Sequence, residues 1–186
     1  MAGLPAVCRA GTPIPAEEAM TESHPVDDSS QAADLERAKA CCFRLLAYRA
    51  RTEAELGQRL RARGFAASVI EQTLARLREL GMVDDAEFAE TWVEGRLAQR
   101  PMGPVALRSE LRRKGVPGDV ATRAIERRLG EEAQFDLALA LARKRLTGQQ
   151  AGDPKVLARI RRSLAQRGFS SDIIQSVMAR IRGGED

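Results

Sequence analysis

Leu60-Arg61-Ala62-Arg63-Gly64-Phe65 decides the fold, because this chain of 186 residues uses the same pattern three times. The pattern returns 51 residues on as Leu111-Arg112-Arg113-Lys114-Gly115-Val116, and a further 53 residues on as Leu164-Ala165-Gln166-Arg167-Gly168-Phe169. A period of this size marks one supersecondary unit that is used as a repeated building block. Each glycine follows a helical segment and is predicted to end it in the left-handed conformation, which glycine adopts without strain.

The composition around this pattern is that of a helical protein. Hydrophobic residues make up 44% of the chain and aromatic residues only 4%, while the helix formers Ala, Leu, Arg and Glu dominate. The predicted fold class is all-α: three tandem three-helix repeats forming an elongated, curved array, with a disordered N-terminal tail. Small or apolar residues recur four apart in the first helix of each repeat, as one buried face requires: Ala38, Cys42, Leu46; Ala89, Val93, Leu97; Ala138, Ala142, Leu146.

Helix start signals place the second helix of each repeat. Thr52 and Glu55 form a capping-box pattern, and Pro104 and Pro154 stand where a first helical residue is expected. The third repeat has four more residues than the others before its buried anchor. We assign this surplus to the Gly- and Gln-rich loop at residues 147–152.

These signals divide the chain into an acidic tail at residues 1–33 and three-helix repeats at 34–83, 84–130 and 131–183. Residues 1–34 carry one basic and six acidic residues, a net charge of −5, and the whole chain is +4, so residues 35–186 hold +9. Arginine supplies 26 of the 30 basic residues. An arginine-rich body fits phosphate or carboxylate recognition, although a high-GC genome produces the same excess.

Residues that could carry out chemistry are few. The one histidine, His24, lies in the tail, and Cys42 occupies the buried ladder, which makes it a core residue rather than a nucleophile. Asp84 and Asp85 fit a helix N-cap better than a metal site. The sequence has no zinc-ligand spacing, P-loop or dinucleotide motif, and no apolar run of membrane-spanning length. We expect no enzymatic activity, no cofactor and a cytoplasmic location, which also suits the three unpatterned cysteines.

Basic residues that recur at the repeat period are the strongest functional signal. Arg63, Lys114 and Arg167 precede the three glycines, where a cation complements the helix dipole and the free carbonyls. On the third helices, three arginines at one repeat position predict a row that follows a polymer of regular negative charge, although helix-end cations explain them as well; these are Arg76, Arg127 and Arg180. The candidate binding residues are Arg49, Arg51, Arg76, Arg78, Arg112, Arg113, Arg127, Arg128, Arg161, Arg162 and Arg180.

These motifs resemble the RecX family of bacterial recombinase regulators. The resemblance covers about residues 35–182, with Met82 as a mild departure, because an aromatic residue or Leu is more usual there. It rests on Ala38–Leu46, Tyr48–Leu56, Leu60–Phe65, Leu77–Asp85, Phe88, Ala89 and Arg96.

Members of that family bind the RecA recombinase. The resemblance therefore implies a non-enzymatic inhibitor that lies in the groove of the RecA–DNA filament and restrains ATPase, strand exchange and filament extension. DNA repair and the SOS response would be regulated in this way. The partners expected are the RecA filament and, weakly and without sequence preference, single- and double-stranded DNA, bound by a monomer. A stand-alone helix-turn-helix-like DNA-binding protein is the alternative, and a carboxylate-based hydrolase is a third hypothesis.

Overall fold

The computed structural model describes residues 28–146 and 153–183, which form nine α-helices and no strand. The all-α prediction is confirmed. Unit 1 consists of α1–α3, unit 2 of α4–α6 and unit 3 of α7–α9. The helices are α1 (Asp28–Tyr48), α2 (Glu53–Arg61), α3 (Ala67–Glu79), α4 (Asp85–Gln99), α5 (Pro104–Arg113), α6 (Gly118–Arg128), α7 (Glu131–Leu146), α8 (Pro154–Gln166) and α9 (Ser171–Gly183).

Each unit encloses a hydrophobic core of its own, and the described helices that pack along their lengths belong to the same unit. Leu56, Leu107 and Ile160 anchor the second helix of each unit and are buried. Burial of one such side chain contributes about 2 kcal/mol. The predicted first-helix ladders are confirmed, since two members of each are buried and the third is half-buried: Ala38, Cys42, Leu46; Ala89, Val93, Leu97; Ala138, Ala142, Leu146.

The three glycines of the repeated pattern end α2, α5 and α8 in the same way, as predicted. Gly64, Gly115 and Gly168 each have φ near +81°. The amide after each glycine donates to the carbonyl of the leucine that begins the pattern, over 3.1–3.3 Å. The repeated stretch of sequence is therefore three copies of one helix-ending turn.

The predicted start of α2 is confirmed, but its capping box is incomplete. The Glu55 amide donates to the Thr52 hydroxyl over 3.1 Å, whereas the Glu55 carboxylate turns away to Lys114 of unit 2. Asp84 caps α4 as expected, and a proline begins both α5 and α8. Residues close in sequence thus determine where the helices begin, whereas the Glu55 side chain binds a residue of another unit.

The N-terminal boundary differs from the sequence prediction. α1 begins at Asp28, so residues 28–33 are helical and do not belong to a disordered tail. The side chains of residues 29–33 are mostly exposed, and an exposed helical turn leaves no apolar periodicity in the sequence. Residues 1–27 lie outside the described residues.

The surplus of unit 3 is also placed differently. α8 has 13 residues where α5 has 10, so most of the extra residues lengthen α8 at its N-terminus. Val156 in this added turn is buried, which makes the longer helix favourable. Residues 147–152, to which the surplus was assigned, lie outside the described residues.

Unit 1 meets unit 2 where the N-terminus of α2 touches the C-terminal turn of α5. The Thr52 hydroxyl donates to the Lys114 carbonyl over 2.6 Å, and the Lys114 ammonium donates to the Glu55 carboxylate over 3.1 Å. Beside them, the Glu53 amide donates to Asp85 Oδ1 over 2.9 Å. The contacts of this junction are therefore made mainly by side chains.

Unit 2 meets unit 3 at the equivalent place, where the N-terminus of α5 touches the C-terminal turn of α8. The Gly103 amide donates to the Arg167 carbonyl over 2.8 Å, and the Val105 amide donates to the Gly168 carbonyl over 3.0 Å. The Arg167 guanidinium donates to the Pro101 carbonyl over 2.8 Å. This junction is made almost entirely of backbone groups.

The helix-ending glycines also decide how closely the units approach. A β-carbon at Gly115 would collide with the β-carbon of Ala54, and one at Gly168 would collide with the backbone and β-carbon of Ala106. At Gly64 nothing in the described part of the chain lies within 4 Å of the same position. At two of the three turns, the second helix of the preceding unit thus lies directly against the glycine.

The second helices meet end to end in the order α8, α5, α2. At each junction, free carbonyls at the C-terminus of one helix accept hydrogen bonds from donors at the N-terminus of the next. Groups that a helix end leaves unsatisfied therefore satisfy one another, and the negative end of one helix dipole lies beside the positive end of the next. The stack runs opposite to the order of the units in the chain.

Candidate anion-binding surface

Most of the candidate arginines outside the second helices are held by carboxylates. Arg76 pairs with Glu79 over 2.9 Å and Arg127 with Glu90 over 2.6 Å, both at the protein surface. The Arg78 guanidinium donates two hydrogen bonds to Glu53, over 2.6 and 2.7 Å. Arg128 also lies near two carboxylates, those of Glu90 and Glu94. An anionic ligand at these positions would have to compete with an existing partner.

Arg49 and Arg51 converge on the junction between units 1 and 2. Their guanidinium groups lie 2.9 and 3.7 Å from the Glu55 carboxylate, which also accepts from Lys114. Burial alone would raise the pKa of Glu55, but hydrogen bonds from Lys114 and Arg49 outweigh it and lower that pKa. Lys114 lies over the Trp92 ring, 4.8 Å from its centroid. These cations thus take part in joining the units.

Four candidate arginines have no carboxylate partner among the described residues, and all four lie on second helices. They are exposed on α5 and α8: Arg112, Arg113, Arg161 and Arg162. Arg180 lies in the last turn of α9 and is exposed. Within the described ranges, the four second-helix arginines are therefore the members of the predicted set whose charge faces solvent without a carboxylate partner.

In unit 2 a groove runs between α5 and α6, with a volume of about 380 Å³. Arg108 and Arg112 stand on its α5 side, and Val105, Val116 and Ala121 contribute apolar surface. Arg108 is exposed, and no carboxylate in the described part of the molecule binds it. The groove thus combines an apolar floor with a cationic edge.

In unit 3 the equivalent groove runs between α8 and α9 and has a volume of about 550 Å³. Arg161 and Arg162 approach it from α8 and Arg182 from α9, while Leu157 and Met178 line it with apolar surface. None of the three arginines is bound by a carboxylate within the described ranges. The added turn of α8 contributes Pro154 to the lining, which extends the groove.

Arg108 was missed by the sequence analysis. It follows the buried anchor Leu107, just as Arg161 follows the buried anchor Ile160. Most predicted residues were basic positions shared by all three repeats or runs of adjacent basic residues. Arg108 is neither, because its neighbours are Leu107 and Ser109 and its position carries Gly57 in unit 1. A comparison of units 2 and 3 alone would have found it.

Basic residues before the glycines act differently from the prediction. The Arg63 guanidinium donates to Cys41 Sγ, the Lys114 ammonium to Glu55 and the Arg167 guanidinium to the Pro101 carbonyl. Among the described residues these side chains do not bind the carbonyls of their own helix, so that interpretation is corrected. In units 2 and 3 they reach the preceding unit instead, because its helix N-terminus lies beside the turn.

The residues considered as catalytic candidates have structural roles. Cys41 and Cys42 are free and buried, and burial, with Cys41 nearby, raises the pKa of Cys42 to about 11, so its thiol is protonated near neutral pH. Asp84 caps α4. Burial raises the pKa of Asp85, which accepts a hydrogen bond from the Glu53 amide. In the described ranges no group of His, Cys, Asp and Glu side chains could hold a metal ion.

Membrane insertion has no support in the described helices, since none is both long enough and apolar enough to cross a bilayer. Three helices per unit, stacked end to end with exposed arginines beside grooves, define a tandem helical repeat protein that suits an elongated anionic partner. Comparison with known proteins gives its family.

Models of the first, second and third three-helix domains of RecX match residues 38–77, 84–125 and 131–178. The regulatory protein RecX of Mycolicibacterium smegmatis is 39% identical over 170 residues, covering 86% of this chain and 89% of the relative. That of Mycobacterium avium is 38% identical over 161 residues, covering 86% and 92%. This chain belongs to the RecX family of regulatory proteins.

The fold agrees with a solved member of the family. The crystal structure of RecX from Lactobacillus salivarius superposes with a TM-score of 0.73 at 24% identity, over 81% of this chain and 98% of that one. At this level of identity the match concerns the fold alone. The three-unit arrangement is therefore shared although most side chains differ.

Proposed function

We propose that this protein is a non-enzymatic inhibitor of the RecA recombinase that lies in the groove of the RecA–DNA filament. It restrains ATPase, strand exchange and filament extension, and so regulates DNA repair and the SOS response in the cytoplasm. The observation that carries the proposal is a set of exposed arginines on α5 and α8 of a RecX-family chain, which no carboxylate among the described residues binds. Guanidinium groups that face solvent remain available for phosphates and carboxylates.

The arrangement of the units supports binding to a long partner. Arginine-edged grooves occur in two consecutive units of one stack, so one molecule can contact several positions along a filament. A ligand favours the conformation to which it binds best. A protein that spans several filament repeats therefore opposes the rearrangements that accompany hydrolysis, strand exchange and extension.

This function requires no chemistry from the chain. Cys42 is buried and protonated near neutral pH, and Asp84 is engaged as a helix cap. These observations favour a binding protein over the carboxylate-based hydrolase.

Co-sedimentation with preformed RecA–DNA filaments over a salt series tests the proposal. The protein should pellet with filaments at low salt, dissociate as salt rises, and lower RecA ATPase and strand exchange at stoichiometric concentration. Unchanged ATPase and strand exchange at that concentration would refute the proposal.

A matched pair of variants locates the contact. The double substitution Arg161→Glu and Arg162→Glu should weaken filament binding roughly tenfold or more, because it reverses two charges that no carboxylate in the described part of the chain binds. Arg127→Glu with Arg128→Glu makes the same charge change at adjacent residues of one helix, but at arginines already held by Glu90 and Glu94. A greater loss with this second pair would assign the contact to the third-helix row.

The alternative of a stand-alone DNA-binding protein has its own test. A gel shift without RecA should show only weak binding that disappears at moderate salt. Tight binding that depends on DNA sequence would favour the alternative.

A further inference from the structure

The grooves of units 2 and 3 lie on the same face of the second helix and carry the same kind of charge, although the first reaches the N-terminus of α6 and the second the C-terminal half of α9. Arg108 and Arg161 each follow the buried anchor of the second helix, and each stands beside a groove lined with aliphatic side chains. Neither guanidinium is bound to a carboxylate among the residues that the structure describes. We propose that the two grooves are successive phosphate-binding sites for one nucleic-acid strand.

The repetition favours a nucleic acid over an acidic protein segment. Two equivalent cationic sites in consecutive units of a stack suit a polymer whose charge is evenly spaced, which a phosphodiester backbone has and a protein surface lacks. Guanidinium groups bind phosphate oxygens in a bidentate manner. The aliphatic floor, with Met178 in unit 3 and Val116 in unit 2, suits the apolar faces of sugar and base.

The residues that line the grooves also indicate that the sites do not recognise base sequence. No aromatic side chain lines either groove among the described residues, so the stacking platforms typical of strong single-strand binders are missing here. Phosphate contacts position a strand without reading its sequence. Binding should accordingly be modest, salt-dependent and insensitive to base sequence.

Unit 1 departs from this pattern, so the arginine that follows the buried anchor occurs in two units only. Gly57 follows the anchor Leu56 at the position of Arg108 and Arg161. The Leu74 side chain lies 3.4 Å from the place where a β-carbon of Gly57 would be. The Arg61 guanidinium lies 3.6 Å from the same place. Unit 1 thus has no arginine at this residue position, and the side chains of Leu74 and Arg61 fill the adjacent space.

This inference deepens the proposed function, since the strand would be the DNA of the filament, but it is tested with nucleic acid alone. Binding of a fluorescent oligo-dT is measured across a salt series without RecA. Each phosphate contact adds roughly 0.7 to the slope of log K against log salt for a single strand. Arg108→Ala with Arg161→Ala should therefore lower that slope by about 1.4, and affinity at low salt should fall.

Arg76→Ala with Arg127→Ala is the matched control. It removes the same two charges from positions in units 1 and 2 that are paired with Glu79 and Glu90. The control should leave the slope unchanged, with circular dichroism confirming that both variants fold. Equal slopes for the wild type and the Arg108/Arg161 variant, or an equal decrease in both variants, would overturn the inference.

The outcomes also separate this inference from the proposed function. If the Arg108/Arg161 variant loses binding to RecA filaments while its oligo-dT slope is unchanged, the grooves bind acidic protein and the inference is overturned. If the wild type has no effect on RecA but the variant lowers the slope as expected, the phosphate sites stand and the proposed function fails.

Discussion

The two junctions of the stack perform the same task with different groups. Between units 1 and 2, the Thr52 hydroxyl and the Lys114 ammonium make the contact. Between units 2 and 3, amides of Gly103 and Val105 donate to carbonyls of the α8 turn. Side-chain contacts respond to pH, salt and single substitutions, whereas backbone contacts respond chiefly to changes in shape. The first junction is therefore the adjustable one and the second the sterically fixed one.

The largest effect is expected from Gly168→Ala, which changes the shape of the second junction. The new β-carbon meets the backbone of Ala106 and also requires an unfavourable positive φ. Strain from the positive φ of about 1 kcal/mol and overpacking of about 2 kcal/mol add to roughly 3 kcal/mol. Thermal unfolding followed by circular dichroism measures the loss.

Gly64→Ala provides the control for that substitution. Gly64 has the same φ, but the described residues place nothing within 4 Å of the new β-carbon. It should cost only the conformational part, about 1 kcal/mol. Equal losses at the two glycines would show that close approach of the units adds nothing to stability.

Gly115→Ala should have an intermediate effect at the first junction, because the new β-carbon meets only the side chain of Ala54. We expect a loss of about 2 to 3 kcal/mol. Ala54→Gly should restore part of it, which a double-mutant cycle measures as a coupling energy of about 1 to 2 kcal/mol. Strictly additive effects would mean that the two residues do not touch.

The smallest effect is the pH response of the first junction. The pKa of Glu55 is lowered in the folded state, so its contribution is complete above the unfolded value of 4.5 and is lost as pH falls through the lower folded pKa. The free energy of unfolding of the wild type should exceed that of the Glu55→Gln variant by no more than about 1 kcal/mol at neutral pH. In strong acid the two free energies should be equal.

Trp92, the only tryptophan of the chain, reports this change because Lys114 lies over its ring. Intrinsic fluorescence of the wild type and the Glu55→Gln variant should converge in acid. The comparison between variants is needed because the pKa of Asp85, at the same junction, is raised and changes stability in the opposite sense. If the fluorescence difference between the two proteins stayed constant from neutral pH to strong acid, the Glu55 carboxylate would not contribute to the junction.

The sequence predicted those features that depend on local patterns. The glycine turns, the buried ladders and the helix starts follow from residues a few positions apart, so Gly64 and its two equivalents could be recognised in advance. The contact between Thr52 and Lys114 spans 62 positions, and no local pattern encodes it. For the same reason Glu55 looked like half of a capping box, although its carboxylate binds another unit.

The candidate site was predicted in part. Arg161 and Arg162 lie beside a groove and Arg112 beside its equivalent, whereas Arg76 and Arg127 face carboxylates. Spacing along a helix shows where an arginine lies, but only tertiary structure shows whether an acid is beside it. The sequence pattern did not predict the length of α8 either, because the number of residues between two anchors is the same for an added helical turn and for a longer loop.

The reversed order of the stack has a consequence for synthesis on the ribosome. The N-terminus of α2 emerges first, yet the Lys114 carbonyl that receives the Thr52 hydroxyl lies 62 residues later. At about 5 to 20 residues per second, that partner follows after roughly 3 to 12 seconds. Units 1 and 2 are thus each completed by the unit translated next, and a nascent chain that stalls before Lys114 exposes the unfinished end of unit 1 to chaperones and proteases.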